Sequence, residues 1–119
     1  MGIWLLRTFE NVLITNNSIS SGNAGSALGS TSGNGAGSSV GVLLVRTAVS
    51  LFDGNDVLAG NGGNASGASG QNIGGNSFGL ERFFSDVLSF QDNTATLGSA
   101  GMPGGMSEPC NPTSPCPFS

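Results

Sequence analysis

The large apolar side chains of this chain gather in three short clusters, around Ile3–Ile14, Val40–Phe52 and Phe78–Phe90. Between them lie stretches of Gly, Ser, Asn and Ala. The clusters are rich in β-branched and other strand-favouring residues. The intervals 22–38 and 60–77 show no helical stripe, and their glycines make a long helix unfavourable. Such intervals read either as flexible low-complexity linkers or as further coils of a layered fold. In the layered reading Gly supplies positive-φ turns, Ala and Ser fill a narrow interior, and Leu28 and Ile73 are occasional inward side chains. Strand-like clusters at regular intervals predict an all-β protein built of stacked coils.

The clusters repeat. Gly2 and the Arg7-Thr8 pair align with Gly41 and Arg46-Thr47 without a gap, an offset of 39 positions. A third copy follows at an offset of 38, setting Val49 against Val87, Phe52 against Phe90 and Asn55 against Asn93. The copies fall near residues 2–38, 41–78 and 79–101. A period this long fits two coils of about 19 residues each, or roughly five coils in all. Each coil would be stabilised by its neighbours, because one alone leaves its apolar face and strand edges open.

Each copy also carries a corner motif: Leu13-Ile-Thr-Asn16, Phe52-Asp-Gly-Asn55 and Phe90-Gln-Asp-Asn93. The plan is an inward apolar side chain, a turn, and an Asn that caps it. Asn tolerates left-handed geometry and bonds its own backbone, and stacked Asn side chains bond one another up a solenoid. Phe90-Gln-Asp-Asn93, followed by Leu97-Gly98-Ser99-Ala100-Gly101, resembles the Phe-x-x-Asn and Gly-Gly-Ala-Ile repeat pair of the polymorphic outer membrane proteins of chlamydiae. Phe52-Asp-Gly-Asn55 matches the first element, and Gly62-Gly63 answers the second. The resemblance covers residues 2–101. It implies a right-handed parallel β-helix and a cell-surface or secreted passenger that acts by adhesion.

Composition narrows the function classes. Three arginines stand against seven carboxylates, a net charge of −4. With no basic patch, neither a nucleic-acid surface nor an electrostatic hold on anionic lipid is expected. No run approaches the ~18 apolar residues of a membrane span. Arg7 and Glu10 interrupt the opening apolar run before it reaches the length of a signal-peptide core. Histidine is absent, which excludes Ser–His and Cys–His nucleophilic schemes and histidine-ligated zinc.

Residues 102–119 change character, with Pro103, Pro109, Pro112, Pro115 and Pro117 and both cysteines, Cys110 and Cys116. The segment reads as an extended tail leaving the solenoid. Its cysteines are either a small local disulfide or two free thiols, and the spacing fits no redox or metal motif. On this reading neither end of the stack is capped, and the chain self-associates through its N-terminal coil or belongs to a longer polypeptide.

The nearest acidic pair, Asp53 and Asp56 with Arg46 upstream, is the one set that suggests a polysaccharide-active β-helix enzyme. Both sit where turn residues belong, and Asp86 and Asp92 do not reproduce the pair. The expectation is therefore a non-enzymatic structural or adhesive segment, extracellular or on a cell surface. It would bind a glycan or another surface partner through an extended face, and no catalytic, cofactor or metal residues are assigned. The Arg7-Thr8 and Arg46-Thr47 pairs read as solvated flanks, and Arg82 falls out of register with them.

Overall fold

The computed structural model describes residues 1–7, 11–29, 35–67 and 72–118. Among these residues the protein is all-β, with no helix. The first copy contributes β1 (Ile3–Leu6), β2 (Val12–Thr15), β3 (Ser18–Ser20) and β4 (Ala27–Gly29). The second contributes β5 (Ser39–Val45), β6 (Ala48–Asp53), β7 (Asp56–Leu58) and β8 (Ala65–Gly67). The third gives β9 (Ser77–Phe83), β10 (Asp86–Val87), β11 (Phe90–Gln91) and β12 (Thr94–Thr96), and β13 (Ser107–Asn111) follows.

Every pairing between these strands is parallel and joins one copy to the next. One sheet runs β1-β5-β9-β13; β2, β10 and β11 pair with β6 in the second; β3, β7 and β12 form the third; β4 and β8 the fourth. Val42 lies opposite Leu80, and Ala95 opposite Val57, each 38 positions apart. The molecule measures 48 × 24 × 20 Å. Neighbouring strands are ~4.8 Å apart, so a few stacked copies account for a short dimension and the long one lies within a copy.

Strand parity places the core. Val40, Val42 and Leu44 alternate inward along β5, and Phe78 and Leu80 repeat the pattern on β9. With Ile14, Ile19, Val49, Phe52, Val57 and Val87 they make an apolar interior under the first three sheets. Beyond it the walls converge. Ser21 Oγ lies 2.9 Å from Ser39 Oγ across the interior, and Ser39 Oγ donates to the Gly22 carbonyl.

Further along, backbone meets backbone. Gly37 N–H donates to the Gly25 carbonyl, Gly63 to Gly37, Gly75 to Gly63 and Gly101 to Gly75, at 2.8–3.1 Å. A Cβ on Gly62 would strike the Gly75 carbonyl of the facing wall, and one on Gly74 the Gly101 carbonyl. Glycine is therefore required here for close approach of two walls, and the Gly-rich intervals are ordered wherever they are described. This changes two expectations. Leu28 and Ile73 do not point inward but are exposed, because the interior of the narrow end is occupied by glycine backbone.

Three further expectations are corrected. Coils of half a repeat do not form: among the described residues no strand pairs with one about 19 positions away, and a whole copy makes one circuit through the sheets. The offset between the first two copies also changes along the chain. Ile3 pairs with Val42, 39 positions on, but Ile14 pairs with Phe52, 38 on, with an irregularity between Val12 and Leu13. Ile14 is thus the buried counterpart of Phe52, and Leu13 is exposed.

The Pro-rich segment, finally, is no departing tail. β13 pairs with β9, setting Cys110 opposite Leu80, and Cys110 is fully buried in the core cluster. Cys110 and Cys116 form a disulfide. The chain then returns over the stack, and Phe118 meets Phe52 edge to face at 5.9 Å between ring centres. Phe90, expected to point inward, is exposed, and Phe118 packs on Phe52 in its place. This end is capped. At the opposite end β1, β2, β3 and β4 each pair on one side only, and Trp4, Leu6 and Leu13 are exposed there.

Candidate functional site

The corner between the second and third sheets is a column of asparagines. Asn93 Oδ1 accepts from the backbone N–H of Asn55 at 2.9 Å and from its Nδ2 at 3.0 Å. Asn55 Oδ1 accepts in the same way from Asn17, both at 3.1 Å. Asn55 Nδ2 also donates to the Ile14 carbonyl, and Asn93 Nδ2 to the Phe52 carbonyl. Asn55 and Asn93 are buried, so these bonds satisfy backbone groups that water does not reach. The first rung of the ladder is Asn17, not the expected Asn16. Asn16, Gly54 and Asp92 instead occupy the preceding position at φ of 53°, 63° and 50°, the left-handed turn that Gly, Asn and Asp tolerate best.

Other columns run in the opposite sense. The N–H groups of Asn61, Asn64 and Asn76 donate to side chains of the preceding copy, Asn23, Ser26 and Ser38. Asn61, Asn64 and Asn76 in turn accept from Ser99, Met102 and Met106. Asn and Ser thus act as structural ties between copies.

The acidic pair is separated by this corner. Asp53 ends β6 and Asp56 begins β7, on different sheets, with Gly54 and Asn55 between them. Asp56 Oδ1 accepts from Thr94 Oγ1 at 2.7 Å. Neither carboxylate lines the cavities described here. Among the described residues no cluster of three or more His, Cys, Asp or Glu could hold a metal ion. Arg7 and Arg46 are exposed at φ of 56° and 51°; Thr8 lies outside the described residues. Among the described residues no helix is long and apolar enough to cross a membrane.

Two open cavities flank the capped end. One, of about 230 Å³, lies between Phe90, Gln91, Asp92 and the returning Cys116, Pro117 and Phe118. The other, of about 290 Å³, lies between Arg82, Phe84, Asp86 and the Pro112–Pro115 loop. Arg82 faces inward on the column Leu5–Leu44–Arg82 and is only 7% exposed. Its Nη2 donates to the Pro115 carbonyl at 2.7 Å. Next to it on β9, the Glu81 carboxyl is pushed up from 4.5 by burial, partly offset by a hydrogen bond from Asn111. Neither cavity follows from the sequence, because both are made by the segment whose composition suggests a free tail. No protein-family model, curated protein or solved structure matches this chain.

Proposed function

We propose that the chain is a segment of a right-handed parallel β-helix with a structural or adhesive role on a cell surface or outside the cell, of the polymorphic outer membrane protein kind. The observation that carries this reading is the in-register parallel pairing of positions 38 apart in three sheets, tied at one corner by the Asn17–Asn55–Asn93 ladder. A scaffold of this sort presents wide faces whose outward side chains are free to vary, because the layers hold themselves together. Those faces offer Ser, Thr and Asn hydroxyl and amide groups with scattered exposed apolar residues such as Leu28, Leu58 and Ile73, a surface suited to weak, multivalent contact with a glycan or another surface.

The unpaired edge at β1 to β4 supports association with a further layer, from a second copy or from a longer parent chain. Retention of the purified chain on immobilised acidic and neutral polysaccharides tests adhesion, and assay of the same mixtures for reducing ends tests the enzymatic alternative. Saturable retention without released ends agrees with the proposal. Ends released by the chain and abolished by Asp53→Ala would replace it with a polysaccharide-active enzyme.

A further inference from the structure

We propose that the cavity beside Arg82 binds a single pyranose unit carrying a carboxylate, a uronic-acid-type sugar. The first ground is Arg82 itself. The residue as a whole is more than nine-tenths buried. Among the described residues it makes one hydrogen bond, from Nη2 to the Pro115 carbonyl, and its Nε, which is sealed from solvent, has no partner. Among the described residues it forms no ion pair. A buried cation with so few partners is costly to the fold, and an incoming carboxylate offsets that cost with charge-assisted hydrogen bonds.

The second ground is independent of the first. Phe84 is 90% exposed and has a φ of 51°. A bulky side chain in the left-handed region is a true outlier. The same corner in the two earlier copies holds Arg7 and Arg46, so the turn does not require an aromatic ring. The left-handed φ belongs to the repeated turn, and what distinguishes this copy is an exposed aromatic face at the mouth of the cavity that Arg82 lines.

The remaining lining groups set the ligand class. Asp86 and Ser114 also line the cavity. A carboxylate 4 residues from the arginine disfavours a compact polyanion such as phosphate, but accepts hydrogen bonds from hydroxyls. One cation, one anion and an aromatic face suit a ligand with a carboxylate at one end, hydroxyls along it and an apolar C–H face. Ser85 Oγ is already engaged by the Thr47 N–H and the Phe83 carbonyl. At about 290 Å³ the cavity lies just below the usual ~300 Å³ lower bound for drug-sized ligands, which suits one sugar ring. Pro112 and Pro115 line the far wall, in the loop closed by the Cys110–Cys116 disulfide, so the wall is held in place before a ligand arrives.

The proposal rests on the adhesive reading only in taking a glycan as ligand. It is tested by titrating the intact, oxidised chain with D-glucuronic acid, D-glucose, acetate and an Asp-Glu-Asp tripeptide, following backbone amide NMR shifts. Millimolar glucuronate should shift Phe84, Ser85 and Ser114 amides and bind at least ~5-fold more tightly than the other three, a difference of about 1 kcal/mol. Phe84→Ala, at an exposed position that should not compromise folding, should weaken glucuronate about 5- to 10-fold. Arg82→Lys, which keeps the charge and loses the fork, should weaken it about 10-fold. Glucose or acetate binding as well as glucuronate, or no shifts at this corner, would overturn the proposal. So would preference for the tripeptide with Phe84→Ala silent. Retention on polysaccharide surfaces without glucuronate binding would remove this pocket and leave the adhesive face standing.

Discussion

Asn93 Oδ1 receives both the backbone N–H and the side-chain Nδ2 of Asn55, at 2.9 and 3.0 Å, across 38 positions of sequence. One oxygen thereby fixes the register of two layers at a corner where the sheet ladder is interrupted. Asn55 passes the same arrangement to Asn17 and also donates to the Ile14 carbonyl. Asn55→Ala leaves several buried groups without partners, each worth ~1–3 kcal/mol. Urea unfolding should show a loss of about 2–4 kcal/mol, against less than ~1 kcal/mol for Asn17→Ala at the exposed end of the ladder.

Glycine at the narrow end serves close approach rather than turning. A Cβ on Gly62 meets the Gly75 carbonyl of the facing wall, whereas one on Gly25 meets nothing within 4 Å. Gly62→Ala should therefore cost about 2 kcal/mol or more, because two backbone walls must part. Gly25→Ala should fall within ~0.5 kcal/mol of the parent. Equal effects in urea unfolding would show that the walls do not touch.

These two columns mark how much of the fold was legible in the sequence. Asn55 and Asn93 were readable because their spacing and flanking Phe-x-x pattern agree. Asn16 drew the role of Asn17 because the offset slips by one residue between Leu6 and Leu13, and an alignment without gaps carries the error forward. Leu28 and Ile73 suggest inward side chains because apolar residues usually face a core. Composition could not reveal that the interior there is filled by glycine backbone. The cap and the cavity it forms were hidden for a related reason. Pro and Gly lower local propensity, yet Cys110 lies on a strand because its partner β9 supplies the hydrogen bonds.

The cap should be separable from the body. Reducing the Cys110–Cys116 bridge releases a short loop, worth about 2 kcal/mol in the chain-entropy account. Phe118→Ala removes the ring that meets Phe52, and for a half-buried phenylalanine the loss should be about 2 kcal/mol. Thermal unfolding with and without a phosphine reductant checks the first, and urea unfolding the second. Reduction that leaves the midpoint unchanged would contradict the role given to this segment.

Glu81 gives the pH dependence a definite sign. Burial holds its folded pKa above 4.5, so the folded state binds more protons than the unfolded state between that value and its raised one. Its contribution to stability therefore falls as pH rises through this window and stays low above it. Glu81→Gln should raise the unfolding midpoint at about pH 7 and leave it nearly unchanged at about pH 3.5. A larger gain at the lower pH would reverse the assignment.

The central claim, that whole copies stack in parallel register, is tested most directly by nitroxide pairs on outward positions of the third sheet. Ser20 lies opposite Leu58, and Leu58 opposite Thr96; all three are exposed. Labels on the double variant Ser20→Cys/Leu58→Cys sit on strands ~4.8 Å apart, and those on Ser20→Cys/Thr96→Cys on strands ~10 Å apart. Continuous-wave spectra should show strong spin–spin broadening for the first pair and clearly weaker broadening for the second. Unbroadened spectra from the Ser20/Leu58 pair, or equal broadening from both, would contradict the stack.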